Sequence, residues 1–334
     1  MADKLLELLR PPPHRGPLIA AGAVLVTIGV ALEEIRLDDK LPTGVHLAIL
    51  ALAAAVIYAL GVQARPEGRP YAYQSVLLVC GLLLLAPALL TLADVLGAEF
   101  GDDFPAGAFV WTSLLLAGAA LWPAVERNSS ICALIAALAV AVAALSFVNW
   151  ALDATSLTTF RSLLAVLALA YALASLPLRG PAPRHSEQMV NAAGLAVLAI
   201  ALTGVVFFAI DAVTPFGAGG TEALPNSWEL VVLFAGCGLV AYGAVDRAPG
   251  PAYLGVANLL AFLVSAGSSD DETLLYWPVL ILIIGLGAMF TGLRPRTPLP
   301  PEPSPYTTGS VPLASRASEE EEQVLRVRDD SPPR

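Results

Sequence analysis

The residues that could perform acid–base chemistry are few, and they lie on connections between apolar segments. Two groups of carboxylates are candidates, Asp102-Asp103 and Asp270-Asp271-Glu272. Carboxylates serve as a general acid and a general base where their surroundings shift their pKa values apart. Neither group has a basic residue close to it in the sequence. We therefore predict no catalytic residue, and a membrane enzyme is the third of the functions considered below.

Histidine and cysteine are equally sparse, and their spacing fits no metal site. The six residues are His14, His46, His185, Cys80, Cys132 and Cys237. Metal sites in proteins combine such side chains at short spacings, and these histidines are far apart, while the cysteines lie singly in apolar runs without a CxxC pair. The segment Gly217-Ala-Gly-Gly220 has no predicted strand before it, so it is no phosphate-binding loop. We predict neither a metal nor a cofactor.

The composition indicates an integral membrane protein. Of 334 residues, 57% are hydrophobic and only 14% are charged, and the mean hydropathy is +0.72. Long uncharged apolar runs recur along the chain, which is typical of membrane spans. The net charge of −10 argues against a nucleic-acid partner, because phosphate binding requires clustered lysine and arginine. Arginine supplies 16 of the 18 basic residues, a bias that suggests a bacterial genome rich in G and C.

The apolar runs predict an all-α bundle of about ten spans. In lipid every backbone group must be paired internally, and these runs have the length of helices and lack the alternation of barrel strands. The predicted spans are Pro17–Leu32, Thr43–Gln63, Ser75–Leu96, Ala106–Val125, Ile131–Leu152, Ser162–Leu178, Met189–Ile210, Trp228–Val245, Ala252–Gly267 and Leu274–Leu293. The first run ends without a cleavage site and is predicted to remain in the protein.

The distribution of basic residues predicts the orientation of the bundle. With the N-terminus in the cytoplasm, 15 of the 18 basic residues lie on the cytoplasmic side. The predicted outer connections then carry only Arg36, Lys40 and Arg161. We therefore expect both termini in the cytoplasm. "Inner" and "outer" below refer to this predicted orientation.

A repeated ending marks the helices that run outward. The first acidic residues at these ends are Glu33, Asp94, Asp153, Asp211 and Asp270, spaced by 61, 59, 58 and 59 residues. Even packing of helical hairpins alone gives a period of about 60, but it does not require the recurring Ala-Leu/Ile-acid sequence. The pattern favours five repeated two-helix hairpins, with the acids as a rim on one side of the membrane. Two inverted halves of five helices are the other arrangement, and no match between the halves supports it.

The spans carry no Asp, Glu, Lys, Arg or His near their middle, although Asp94 and Asp211 lie within about a turn of an outer end. Ion-coupled transporters and proton relays place charges at mid-membrane, so their absence argues against those functions. Small and weakly polar residues inside the spans are expected to serve helix packing. An enclosed polar cavity at mid-membrane would indicate transport, whereas a filled core would indicate a scaffold.

The ends of the chain differ from the bundle. Residues 1–16 are predicted to form a cytoplasmic segment, either a short interfacial helix or a disordered start, before a bundle over residues 17–293. Residues 294–334 are rich in proline and mixed charge and predict a disordered cytoplasmic tail, which is either a tether or a segment that docks a protein partner.

These features favour a non-enzymatic scaffold or accessory subunit of an envelope complex in a bacterial cytoplasmic membrane. The alternative is a transporter of a neutral or lipidic small molecule, which needs no buried charge. The bilayer itself is the one partner that the composition establishes, and the identity of any protein partner or substrate is not encoded in a readable motif.

Overall fold

A computed structural model describes residues 16–37, 42–63, 72–98, 105–152, 156–213 and 224–267. These ranges form nine α-helices and contain no β-strand. They are α1 Gly16–Leu37, α2 Thr43–Gln63, α3 Ala72–Val95, α4 Ala106–Glu126, α5 Ser130–Leu152, α6 Leu157–Leu178, α7 Pro183–Val213, α8 Asn226–Asp246 and α9 Pro249–Gly267. Each is long and apolar enough to cross a membrane. The chain is therefore an integral membrane protein, and its fold is the predicted helical bundle.

The nine helices correspond to the first nine predicted spans, with differences at the ends. Helix α1 continues past Leu32 to Leu37 and has 22 residues. Helix α7 begins at Pro183, six residues before the predicted start, and α9 begins at Pro249, three residues before it. The tenth predicted span, the tail and residues 1–15 lie outside the described residues.

The helices pack most extensively with the neighbour to which an inner turn joins them. These pairs are α2 with α3, α4 with α5, α6 with α7, and α8 with α9. Helices joined at their outer ends, such as α1 with α2 and α5 with α6, contact each other much less. The closely packed pairs are therefore not the hairpins whose outer connections carry the acidic residues, such as α1 with α2. They are the pairs that begin one helix later, such as α2 with α3.

The odd-numbered helices form a row. Helix α1 contacts α3, α3 contacts α5, α5 contacts α7, and α7 contacts α9. Each packed pair thus adds one helix to this row, as expected of an array of repeated hairpins in which each unit buries its face against its neighbours.

Small residues allow the paired helices to approach closely. A Cβ atom added at Gly81 of α3 would lie 2.9 Å from the backbone N and Cα of Tyr58 in α2. A Cβ at Gly255 of α9 would lie 2.7 Å from the backbone N of Val240 in α8. Within the bilayer there is no hydrophobic drive for helices to associate, so such close packing contributes much of their attraction.

Candidate functional site

The most polar region of the described bundle lies at the turn between α6 and α7 and in the cleft beside it. Helix α7 starts with proline at its first helical position, where a missing backbone N–H costs nothing. The carbonyl of Ala182 accepts bonds from the backbone N–H groups of His185 and Ser186, each at 3.0 Å. Residues 183–188, predicted as a cytoplasmic connection, therefore form the first turns of α7.

Side-chain hydrogen bonds hold this turn against two neighbouring helices. The Ser186 hydroxyl, which is buried, donates to the carbonyl of Ser175 in α6 at 2.8 Å. The His185 ring donates through Nε2 to the carbonyl of Ala124 in α4 at 3.0 Å. Because each bond reaches another helix, the start of α7 is fixed relative to both.

A polar cleft of about 380 Å³ opens beside this turn, between the inner ends of α6, α7 and α8. We call it the inner cleft; its lining includes Arg179, Arg184, Ser186, Glu187, Tyr242 and Asp246. The Arg179 guanidinium lies 5.1 Å from the centre of the Tyr242 ring, and its Nη2 is 3.5 Å from Asp246 Oδ2. Both partners of that ion pair are substantially exposed, so the pair contributes at most about 1 kcal/mol to stability.

An apolar groove of about 420 Å³ leads away from the cleft along the faces of α6, α7 and α8. We call it the α6–α8 groove; small residues such as Ala168, Ala172, Gly194 and Gly238 line it, together with Leu169, Leu176 and Val197. Arg179 and Tyr242 line both the groove and the inner cleft. The two spaces therefore adjoin each other, with the charged cleft at the inner end of the apolar groove.

Two further apolar grooves lie in the other half of the described bundle. One, of about 580 Å³, runs between α1, α3 and α5, with Ser75, Asn128 and Arg184 among its lining residues. The other, of about 360 Å³, lies between α3, α4 and α5 and is lined mainly by leucine, alanine and valine, with Thr112 and Ser113. These grooves carry fewer charged groups than the inner cleft.

Three polar contacts occupy the outer ends of the helices. Arg161 was predicted on an outer connection, but it lies in the second turn of α6, is 0% exposed, and donates from Nε to the Thr203 hydroxyl of α7 at 3.0 Å. The prediction was wrong because α6 begins at Leu157, five residues before the predicted start. The buried Glu229 of α8 accepts a bond from the Ser265 hydroxyl of α9 at 3.3 Å.

The third contact is made by Glu34, which follows Glu33 near the outer end of α1. Glu34 Oε2 lies 3.0 Å from Nδ1 of the buried His46 in α2, whereas the neighbouring Glu33 is exposed. The acid that contacts another helix is therefore the second of the pair. Asp94 is exposed near the end of α3, and Asp153, Asp270 and the side chain of Asp211 lie outside the described residues.

In the sequence, Arg179 and Arg184 are two of the 15 basic residues on the predicted cytoplasmic side, and Tyr242 belongs to the predicted span Trp228–Val245. No local pattern singles out Ser186 or Glu187. The structure brings these residues together from three helices and two turns, so no local spacing could reveal the cleft. Among the described residues, no group of three or more His, Cys, Asp or Glu side chains could hold a metal ion.

No protein-family model, curated protein or solved structure matches this chain. The function is therefore inferred from the residues that line the site. In the described part of the chain, the inner cleft combines two guanidinium groups with two carboxylates, and His185 beside it is engaged with a backbone carbonyl. Such a set can bind a charged group, and the adjoining groove can bind an apolar one.

Proposed function

We propose that this chain is a non-enzymatic scaffold or accessory subunit of an envelope complex in a bacterial cytoplasmic membrane. In this proposal both termini are cytoplasmic, and the proline-rich tail docks a protein partner. The chain would position other components in the membrane through its helical array and recruit them through the tail.

The observation that supports a scaffold is the packing at the middle of the described helices. The buried residues between α5, α6 and α7 are mainly alanine and aliphatic side chains, including Ala137, Ala141, Ala168, Ala192, Ala196 and Ile200. Charged groups of the described helices lie within the first or last two turns. Between these described helices the centre is apolar and without charge, which disfavours passage of an ion or a charged substrate.

A transporter of a neutral or lipidic small molecule is the second candidate, favoured by the apolar lining of the α6–α8 groove. That groove extends from the inner end of α6 to about its middle, from Arg179 to Ala168. Transport would require a second path from there to the outer side.

The proposal predicts a stable complex that depends on the tail. Native membranes solubilised in a mild detergent should yield the chain in one assembly larger than its own mass of 34.6 kDa, with a partner at fixed stoichiometry. Deleting residues 297–334 should release that partner, while insertion and thermal stability of the bundle stay nearly unchanged, because tail residues add little to helix packing in lipid.

Two results would contradict the scaffold. The full chain could migrate alone in every mild detergent tested, or purified protein in vesicles could move a lipid analogue between leaflets at a rate well above protein-free vesicles. The second result would favour the transporter. A deletion variant that fails to insert would instead refute the independence of bundle and tail.

A further inference from the structure

The α6–α8 groove has the depth of one bilayer leaflet. Four of its residues from α6 and the position after it, Ala168, Ala172, Ser175 and Arg179, are spaced by four, three and four positions and so share one face of the helix. At 1.5 Å per residue these eleven positions cover roughly 16 Å, about half of a hydrocarbon core that is about 30 Å thick. In the predicted orientation, the groove therefore extends from the inner end of α6 over about half of the hydrocarbon thickness.

The groove offers about 420 Å³ along this length, a space that an extended acyl chain can occupy. Its lining combines six alanine and glycine residues with five leucine and valine residues, so its wall is largely apolar.

The charges at its inner end define the second part of the occupant. Arg179 and Arg184 line the inner cleft, and arginine is well suited to bind phosphate oxygens. Glu187 and Asp246 line the same cleft, so a headgroup with a second negative charge would be repelled, whereas an ammonium group would be attracted. Two cations and two carboxylates thus complement a zwitterionic headgroup, whose phosphate and ammonium would replace the exposed Arg179–Asp246 ion pair.

We propose that the α6–α8 groove and the inner cleft bind one phospholipid with a phosphoethanolamine headgroup. One acyl chain lies in the groove, the phosphate contacts Arg179 and Arg184, and the ammonium faces Asp246 and Glu187. Tyr242, shared by both spaces, lies where the chain meets the headgroup. This site goes beyond the scaffold proposal and does not depend on it, because a scaffold and a transporter could each carry a bound lipid.

Two variants remove the two halves of the site separately. Gly238→Leu places a side chain in the groove, where a Cβ meets no atom within 4 Å, so the helix itself is not disturbed. Its matched control is Gly118→Leu in α4, which also meets no atom within 4 Å and does not line the groove. Arg179→Gln with Arg184→Gln removes the cations, and Arg247→Gln on the next inner turn, which does not line the cleft, is the control.

The binding experiment is native mass spectrometry of the full chain after removal of endogenous lipid, with phosphatidylethanolamine, phosphatidylglycerol or inorganic phosphate added singly. The wild-type chain and both controls should retain one phosphatidylethanolamine, at several-fold lower concentration than is needed for phosphatidylglycerol. The double arginine variant should bind at least about tenfold more weakly, equal to 1.4 kcal/mol. Gly238→Leu should lose the lipid while keeping the melting temperature of its control.

Several results would overturn the proposal. Retention by Gly238→Leu would exclude the groove, and equal binding of phosphatidylglycerol would exclude the assigned headgroup. Stabilisation by inorganic phosphate alone, equal to that by the lipid, would reduce the site to an anion site. A benzophenone side chain at Ala172 should crosslink to lipid in membranes; a crosslink to residues 274–293 of the chain instead would mean that the chain fills its own groove.

Discussion

Individual side chains in this bundle act mainly through the space they leave and the few hydrogen bonds they make between helices. Gly81 and Gly255 permit backbone contact within packed pairs. Asn258 is 0% exposed and donates from Nδ2 to the carbonyl of Gly194 in α7 at 3.2 Å and of Leu254 in its own helix at 2.8 Å. Three tyrosines toward the inner ends of their helices differ in role: Tyr58 and Tyr171 donate hydrogen bonds to carbonyls, and Tyr242 contacts Arg179.

Substitution of Gly81 by alanine should destabilise the bundle. The added Cβ would lie 2.9 Å from backbone atoms of Tyr58, so α2 and α3 must move apart. Overpacking of this kind costs about 1–3 kcal/mol. Thermal unfolding in detergent measures the effect. Gly118→Ala, where the Cβ meets open space, should keep or raise stability because alanine favours a helix by about 1 kcal/mol. An unchanged melting temperature for Gly81→Ala would contradict the close approach.

Replacement of Tyr58 or Tyr171 by phenylalanine should weaken specific helix contacts. The Tyr58 hydroxyl donates to the carbonyl of Ala119 in α4, and that of Tyr171 donates to the carbonyl of Ala137 in α5, each at 2.6 Å. Bonds of this type between membrane helices contribute about 0.6 kcal/mol on average and at most about 1.7. Each variant should lose stability in that range. Tyr253→Phe, which alters an exposed ring, is the control; equal losses in all three variants would reject the assignment.

At the scale of the helix, the helices that pack most closely are those joined by an inner connection. Arg247 closes α8 with a left-handed φ of 53°, and the backbone N–H of Ala248 then donates to the carbonyl of Gly243 at 3.1 Å. This geometry satisfies a terminal carbonyl and reverses the chain within two residues. A Cβ at Gly243 would lie 2.7 Å from that of Ala252, so the close contact of α8 with α9 begins immediately after the turn.

Lengthening this turn should therefore lower the free energy of unfolding by more than the entropy of closing a longer loop. Four residues, Gly-Ser-Gly-Ser, inserted between Arg247 and Ala248 would remove the bond to Gly243 and release the contact with Ala252. The same insertion between Gly101 and Asp102, on the connection of α3 to α4, lengthens that connection by less than a factor of two. It should therefore cost less than the roughly 0.6 kcal/mol that each doubling of loop length costs. Unfolding free energies of the two variants decide the point, and equal losses would argue against pairing through inner turns.

At the scale of the whole molecule, the basic residues and the number of spans together predict the topology. Nine described helices bring the end of α9, at Gly267, to the outer side if residue 16 starts on the inner side. The predicted tenth span then returns the chain to the cytoplasm, where the six arginines of the tail satisfy the bias of basic residues.

Two reporter fusions test this topology. A reporter active in the periplasm should be active after Gly267 and inactive after Arg334, while a cytoplasmic reporter should give the opposite pattern. Activity of the periplasmic reporter at both positions would mean that no tenth span follows Gly267. Activity after Arg334 but not after Gly267 would mean that the bundle has the opposite orientation.

The sequence by itself determined the helical class, the nine described spans and the absence of charge from their centres. This was possible because lipid requires each span to pair its own backbone and to be apolar, which are properties of a local segment. Span ends were less certain. Arg161 and the polar start of α7 were placed outside the helices because hydropathy does not register a charged residue that another helix buries.

Only the tertiary structure decided which helices pair and which residues meet. Between helices in lipid, partner choice depends on close-packed shapes and single hydrogen bonds, such as Gly81 against Tyr58 or Ser186 with Ser175, and not on a hydrophobic pattern. The repeated acidic endings indicate the period of the array, but not that its packed unit joins helices through the inner turns. Arg179, Glu187 and Tyr242 likewise form one site only because α6, α7 and α8 converge there.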